Sequence, residues 1–231
     1  TGFSKNTMDK LRNRTNSLFL YLFDSILRYP LDYKIYDSIY SYSTNDCNEF
    51  GFNYLHTWSP NKIQIKNSIP SLDTNKAFYA GSFTFGRLYT LLKIVLRNND
   101  IFNFKLFLLN KYFAYLPIKI RRLIRKKTSI VLISKPLKSY SYSFFLETCS
   151  YLISLEALNA DGPTNRLNEA CMYNKSIITL VPSLYEGLPR DLLIYKIDYN
   201  GSIHTYRRES LIDAGKNVNL SFEEWVKRIC Q

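Results

Sequence analysis

The chain has 231 residues, 46% of them hydrophobic and 16% aromatic, and its 31 Lys and Arg against 19 Asp and Glu give a formal net charge of +12. This composition supplies apolar side chains for one large core or two modest ones and excludes a disordered polar chain. No uncharged apolar run approaches the ~18 residues of a membrane span: the best, residues 18–27, is cut by Asp24 and followed by Arg28. The expectation is a cytoplasmic protein, at most peripheral at the inner face of the membrane.

In chain order, short apolar runs fall at residues 17–23, 38–42, 77–80, 104–109, 129–133, 151–155, 176–180 and 192–197. Several are nearly continuous, as in strands buried on both faces of a parallel sheet. Helix-like stretches lie between them at 87–97, 118–126, 142–149 and 164–173. Such alternation predicts an α/β doubly wound fold. Residues 59–75, with Pro60, Pro70 and several Asn and Ser, read as an interdomain connection. They divide the chain into a partial N-terminal α/β domain at 1–72 and a complete parallel-sheet domain at 73–231. The chain starts at Thr1 with no leader pattern, and the first domain holds few strands, so an upstream portion is expected.

Cys47, Cys149, Cys171 and Cys230 are widely spaced, with only His56 and His204 beside them in composition. Free thiols are expected, with no metal site and no cofactor. The densest basic cluster is Lys119, Arg121, Arg122, Arg125, Lys126 and Lys127, interleaved with Ile118, Ile120, Leu123 and Ile124. On a helix this pattern suits an anionic membrane surface met by Arg121, Arg122 and Arg125, or a solvated helix whose apolar side packs on the core.

Two segments carry candidate chemistry. Phe78 to Arg87 reads as strand, Gly/Ser turn and helix, with Gly81 and Ser82 presenting backbone N–H groups and Arg87 reaching a pyrophosphate. Lys93 on the same helix reads as a surface lysine. In the second segment Gly162 and Pro163 turn the chain into a helix whose start, at Thr164, favours a phosphate. Arg166 and Glu169 follow on that helix, the carboxylate placed to accept ribose hydroxyls. The bland alternative is an amphipathic helix capped by Asp161 with a solvated Glu169. Replacing Glu169 by Gln is expected to weaken nucleotide binding about tenfold while sparing stability. Neither the G-x-G-x-x-G nor the Walker A pattern is present.

The second of these segments resembles the donor domain of GT-B glycosyltransferases, which have two facing Rossmann domains. Asp161 and Glu169 stand eight positions apart, followed by Ala170 and the apolar run 176–179, with Asp in place of the usual first Glu. More closely, the chain resembles a family of bacterial lipopolysaccharide and capsule glycosyltransferases. The resemblance rests on Asp24-Ser25, on residues 36–43 with Asp46, on residues 50–55, on 78–82 with Arg87, and on Gly162, Thr164, Arg166 and Glu169. His56 replaces a frequent proline, and residues 159–161 lack the usual Gln-Ser pair. The resemblance implies sugar transfer from a nucleotide-sugar donor to a lipid-linked or nascent surface glycan, without an obligatory metal. Gly81, Ser82, Arg87, Gly162, Thr164, Arg166 and Glu169 would bind the donor. The catalytic base is not identified; Asp24, Asp37, Asp46 and His56 are considered, each reading more readily as structural. An inactive remnant serving as a nucleotide-binding or partner subunit is the alternative. A nucleic-acid partner, suggested by charge alone, lacks a recognition motif.

Overall fold

The structure, a computed structural model, describes residues 5–22, 33–55, 74–156, 165–185, 192–207 and 222–230. The connection proposed at 59–75 lies almost wholly outside them, as do Asp24, His56, Asp161, Gly162 and Thr164. The described chain begins with α1 (Lys5–Arg12), β1 (Phe19–Leu22), β2 (Ser38–Ser41), α2 (Thr44–Phe50) and β3 (Asn53–Tyr54). These strands make a three-stranded sheet, β1-β2-β3, parallel throughout.

Next come β4 (Lys76–Ser82), α3 (Phe85–Asn98), β5 (Asn103–Leu109), α4 (Ile118–Thr128), β6 (Ile130–Ile133), α5 (Ser139–Thr148) and β7 (Tyr151–Ser154). The remainder is α6 (Asn165–Tyr173), β8 (Ser176–Thr179), β9 (Ile194–Ile197), β10 (Ile203–Thr205) and α7 (Phe222–Ile229). Strands β4 to β10 form one sheet in the order β10-β9-β8-β7-β4-β5-β6, parallel except where β10 runs antiparallel to β9. The chain starts at β4, winds outward to β6, and crosses back to β7 on the other side of β4. This is the doubly wound, Rossmann-like order, and it puts a topological switch point between β4 and β7.

Strand alternation divides the core into two layers. On one side Ala77, Tyr79, Leu106, Leu108, Ile153 and Ile178 pack with Leu91, Ile94 and Val95 of α3, and Ile124 of α4 joins them. On the other, Phe78, Leu152 and Ile177 meet Leu146 of α5 and Leu167, Ala170 and Tyr173 of α6. The β9–β10 turn is fixed to α3: the buried Asn98 amide donates to Gly201 O at 2.8 Å, and Lys93 Nζ donates to Tyr199 O at 2.8 Å. Lys93 is therefore a packing residue.

Helix α4 divides its basic residues. Arg121, with Ile124 and Thr128, lies on the stripe facing the sheet; it is half-buried, and its Nε has no hydrogen-bond partner. Arg122 and Arg125 are exposed. The helical period forces this split, because Arg121 falls in register with Ile124 and Thr128.

Helix α7, beyond all the strands in sequence, packs on the first sheet rather than the second. Trp225 and Ile229, one turn apart, are buried with Leu55 against Phe19, Tyr21 and Tyr40. The Tyr21 and Trp225 rings meet edge to face at 4.8 Å, and the Tyr40 hydroxyl donates to Ile229 O at 3.3 Å. Glu223 and Glu224 in the first turn and Lys227 and Arg228 in the last complement the helix dipole. Trp225→Ala should cost about 3–5 kcal/mol, the usual range for truncating a buried aromatic. Urea unfolding followed by circular dichroism checks this; a loss below about 1 kcal/mol would mean that α7 is not held by this ring.

Candidate functional site

At the switch point the two halves of the large sheet part. Strand β4 pairs with β5 along all seven residues, Lys76 to Ser82, but with β7 only at Ala77 and Phe78. From Tyr79 onward the β7 side of β4 has no strand partner in this ladder. A parallel sheet binds ligands in the crevice that such parting opens at its carboxyl edge.

Arg166, in the first turn of α6, fills the floor of this split. Its Nη2 donates to Ala80 O, a carbonyl that β7 leaves unpaired, and its Nη1 bonds both Glu169 Oε2 and the Tyr142 hydroxyl. Tyr142, from α5, donates in turn to Glu169 Oε1 at 2.7 Å. The Arg166 and Glu169 side chains are only 15% and 12% exposed. Burial lowers the guanidinium pKa, but Glu169 and Tyr142 outweigh it and keep Arg166 charged, its pKa above the ordinary value. Burial above all raises the Tyr142 pKa and keeps its hydroxyl protonated. Glu169 is therefore not solvated: it is the counter-ion of a buried arginine.

A second buried carboxylate, Glu156, lies two residues past the end of β7 and is 8% exposed. Thr179 Oγ1 donates to its Oε2 at 2.8 Å, and the Tyr185 hydroxyl bonds its Oε1. Tyr185 also shares a 2.7 Å bond with Ser154 Oγ. These groups stand at the carboxyl ends of β7 and β8, next to the split.

Burial above all raises the Tyr79 hydroxyl pKa, while the charges of Arg87 and Arg166 lower it and that of Glu156 raises it. Gly81 belongs to the same spot, since a Cβ there would collide with the Tyr79 hydroxyl and ring. A side chain at residue 81 would have to displace the Tyr79 ring. Gly81 and Ser82 are not in the turn, as the sequence suggested; they end β4 in register with Leu108 and Leu109, because β5 is equally long. The turn is Phe83 and Thr84, and Thr84 caps α3 by accepting from the Arg87 N–H at 3.1 Å. The Arg87 guanidinium bonds Ser82 O at 3.1 Å and Ser82 Oγ, and has no acidic partner among the described residues.

Of the sequence-predicted donor residues, Gly81, Ser82, Arg87, Arg166 and Glu169 gather at this edge, and Gly162 and Thr164 lie outside the described residues. Tyr79, Tyr142, Glu156 and Tyr185 were not foreseen. Glu156 had a readable signal, an acid directly after a buried apolar run, which marks the carboxyl end of a strand. Tyr142 had none, because only packing brings α5 against α6. Among the described residues no three His, Cys, Asp or Glu side chains gather as metal ligands.

Of the candidates for a base, Asp37 and Asp46 lie among the described residues. Asp46 is 2% exposed in α2, and its Oδ2 accepts from Ser41 Oγ at 3.4 Å. Asp37 accepts two bonds from Arg12, one at 2.8 Å, and another from Leu18 N at 2.7 Å. The Arg12 bonds hold the Asp37 carboxyl below its ordinary value, the reverse of what a base working near neutrality needs.

Two predictions follow from these contacts. Glu169→Gln should cost stability, about 3 kcal/mol or more, because it leaves Arg166 charged and buried without its counter-ion. Tyr142→Phe, which removes one hydroxyl, should cost about 1–2 kcal/mol. Urea midpoints of both variants check this, and an unchanged midpoint for Glu169→Gln would show the pair to be open to water. The second concerns pH. A carboxyl with a depressed folded pKa adds stability above its unfolded value, near 4, and loses it as the pH falls through the folded value. The deficit of Asp37→Asn against the parent should thus be full at neutral pH and shrink in acid. A deficit independent of pH would deny the Arg12 ion pair.

No family model matches the chain, and no curated protein matches it.

Proposed function

We propose that the large sheet is the donor-binding domain of a GT-B-type glycosyltransferase, taking a nucleoside diphosphate sugar at the split between β4 and β7. In this reading the sugar goes to a lipid-linked or growing surface glycan. The observation that carries the proposal is Arg87: a guanidinium without an acidic partner among the described residues, at the carboxyl edge and beside the switch point. A diphosphate is the anion that such a cation, set at the first turn of α3, is suited to receive. Arg166 then serves by shaping the floor, since its donors already reach Ala80, Glu169 and Tyr142. Each Glu169 oxygen keeps a second lone pair, so a ribose hydroxyl would join the network rather than replace it. The resemblance to lipopolysaccharide and capsule glycosyltransferases supports the reaction class, and the α/β architecture of both sheets is compatible with it.

The test is thermal unfolding with each common nucleoside diphosphate. Ligand at a hundred times its dissociation constant adds about 2.7 kcal/mol, a rise of several degrees in Tm. Arg87→Ala should abolish that rise while leaving the free protein's Tm nearly unchanged. Failure of every diphosphate to raise Tm would reject the donor site and favour the inactive partner subunit. A rise that survives Arg87→Ala would place the nucleotide elsewhere.

A further inference from the structure

Charge on this chain is segregated. Between residues 85 and 138 there are thirteen Lys or Arg and a single acid, Asp100, so this stretch holds the entire net charge of +12. It comprises α3, β5, α4 and β6, one flank of the large sheet. Helices α3 and α4 lie side by side on the same face of that sheet, so their outer surfaces look the same way.

Those outer surfaces combine exposed apolar and basic side chains. On α3, Leu91, Ile94 and Val95 face the core, while Phe85, Tyr89 and Leu96, at i, i+4 and i+11, form a stripe on the opposite side. They are 81%, 61% and 75% exposed. On α4, Arg121, Ile124 and Thr128 face the sheet, which turns Lys119, Arg122, Leu123 and Lys126 outward. Leu123 is 54% exposed among these cations. An apolar stripe thus runs beside a basic one on a single platform.

We propose that the outer face of α3 and α4 is a docking surface for an anionic lipid bilayer. Phe85, Leu96 and Leu123 enter the headgroup–acyl boundary, and Lys119, Arg122 and Lys126 meet the phosphates. Charge complementarity selects an anionic occupant. The apolar stripe selects a bilayer over a nucleic acid, which would neutralise the cations yet leave Phe85 and Leu96 in water. The inference does not depend on what the crevice binds.

Co-sedimentation of the full chain with phosphatidylglycerol–phosphatidylcholine vesicles tests it. The chain should bind these and not phosphatidylcholine alone. Lys119→Gln, Arg122→Gln and Lys126→Gln together should weaken binding about a hundredfold, given the usual gain per surface cation. A control that removes the exposed Lys10, Arg14 and Lys196 has the same net charge and should lose far less. Phe85→Ser with Leu96→Ser should also weaken binding, with Tm unchanged because both side chains are exposed. The proposal is overturned if the two charge triples behave alike, if the serine pair binds as the parent does, or if the anionic vesicles are not bound. Binding to homopolymeric RNA that matches or exceeds vesicle binding and ignores the serine pair would also overturn it, in favour of a nucleic-acid partner.

Discussion

Where β7 turns away from β4, the carbonyl of Ala80 loses its neighbouring strand, and the Arg166 guanidinium takes the strand's place. An unpaired buried carbonyl would be costly, and so would an unpaired buried cation. The bond to Ala80 answers the first cost, and Glu169 with Tyr142 answers the second. One side chain therefore joins β4, α5 and α6 at the point where the sheet opens. Its bonds hold Arg166 where the sheet parts.

This arrangement separates two tasks that the sequence presented together. Arg87 and Arg166 both read as cations for a phosphate, yet only Arg87 lacks an acidic partner among the described residues. Arg166 is enclosed by its bonds and acts through the shape it imposes. The Tyr79 ring lies where a side chain at residue 81 would otherwise stand. The glycine in this segment thus leaves room for a tyrosine.

The two faces of the large sheet differ in what they offer outward. Helices α5 and α6 close one face and carry the buried network. Helices α3 and α4 close the other while leaving an apolar stripe and a basic stripe uncovered. Both Arg87 and the first turn of that apolar stripe belong to the start of α3, so crevice and platform meet at one helix terminus. A chain held by that platform would hold the crevice mouth near whatever surface it lies on.

The sequence by itself determined the strands and their alternation with helices. Its near-continuous apolar runs, such as residues 104–109 and 151–155, permit burial on both faces, and that alone implies helices above and below a parallel sheet. It also brought Gly81, Arg87, Arg166 and Glu169 to one edge, because turns after parallel strands emerge together. The shortest elements escaped it: β3, β10, α1, α2 and α7 are too brief or too polar to show a period without their partners. Helix α7 has a strong pattern over only eight residues, and its attachment to the distant first sheet is fixed by a few aromatic contacts. The tertiary structure alone decided which charges are free. Glu169 became a counter-ion and Arg121 turned inward because burial and helical phase depend on neighbours far along the chain, and no spacing within a segment records them.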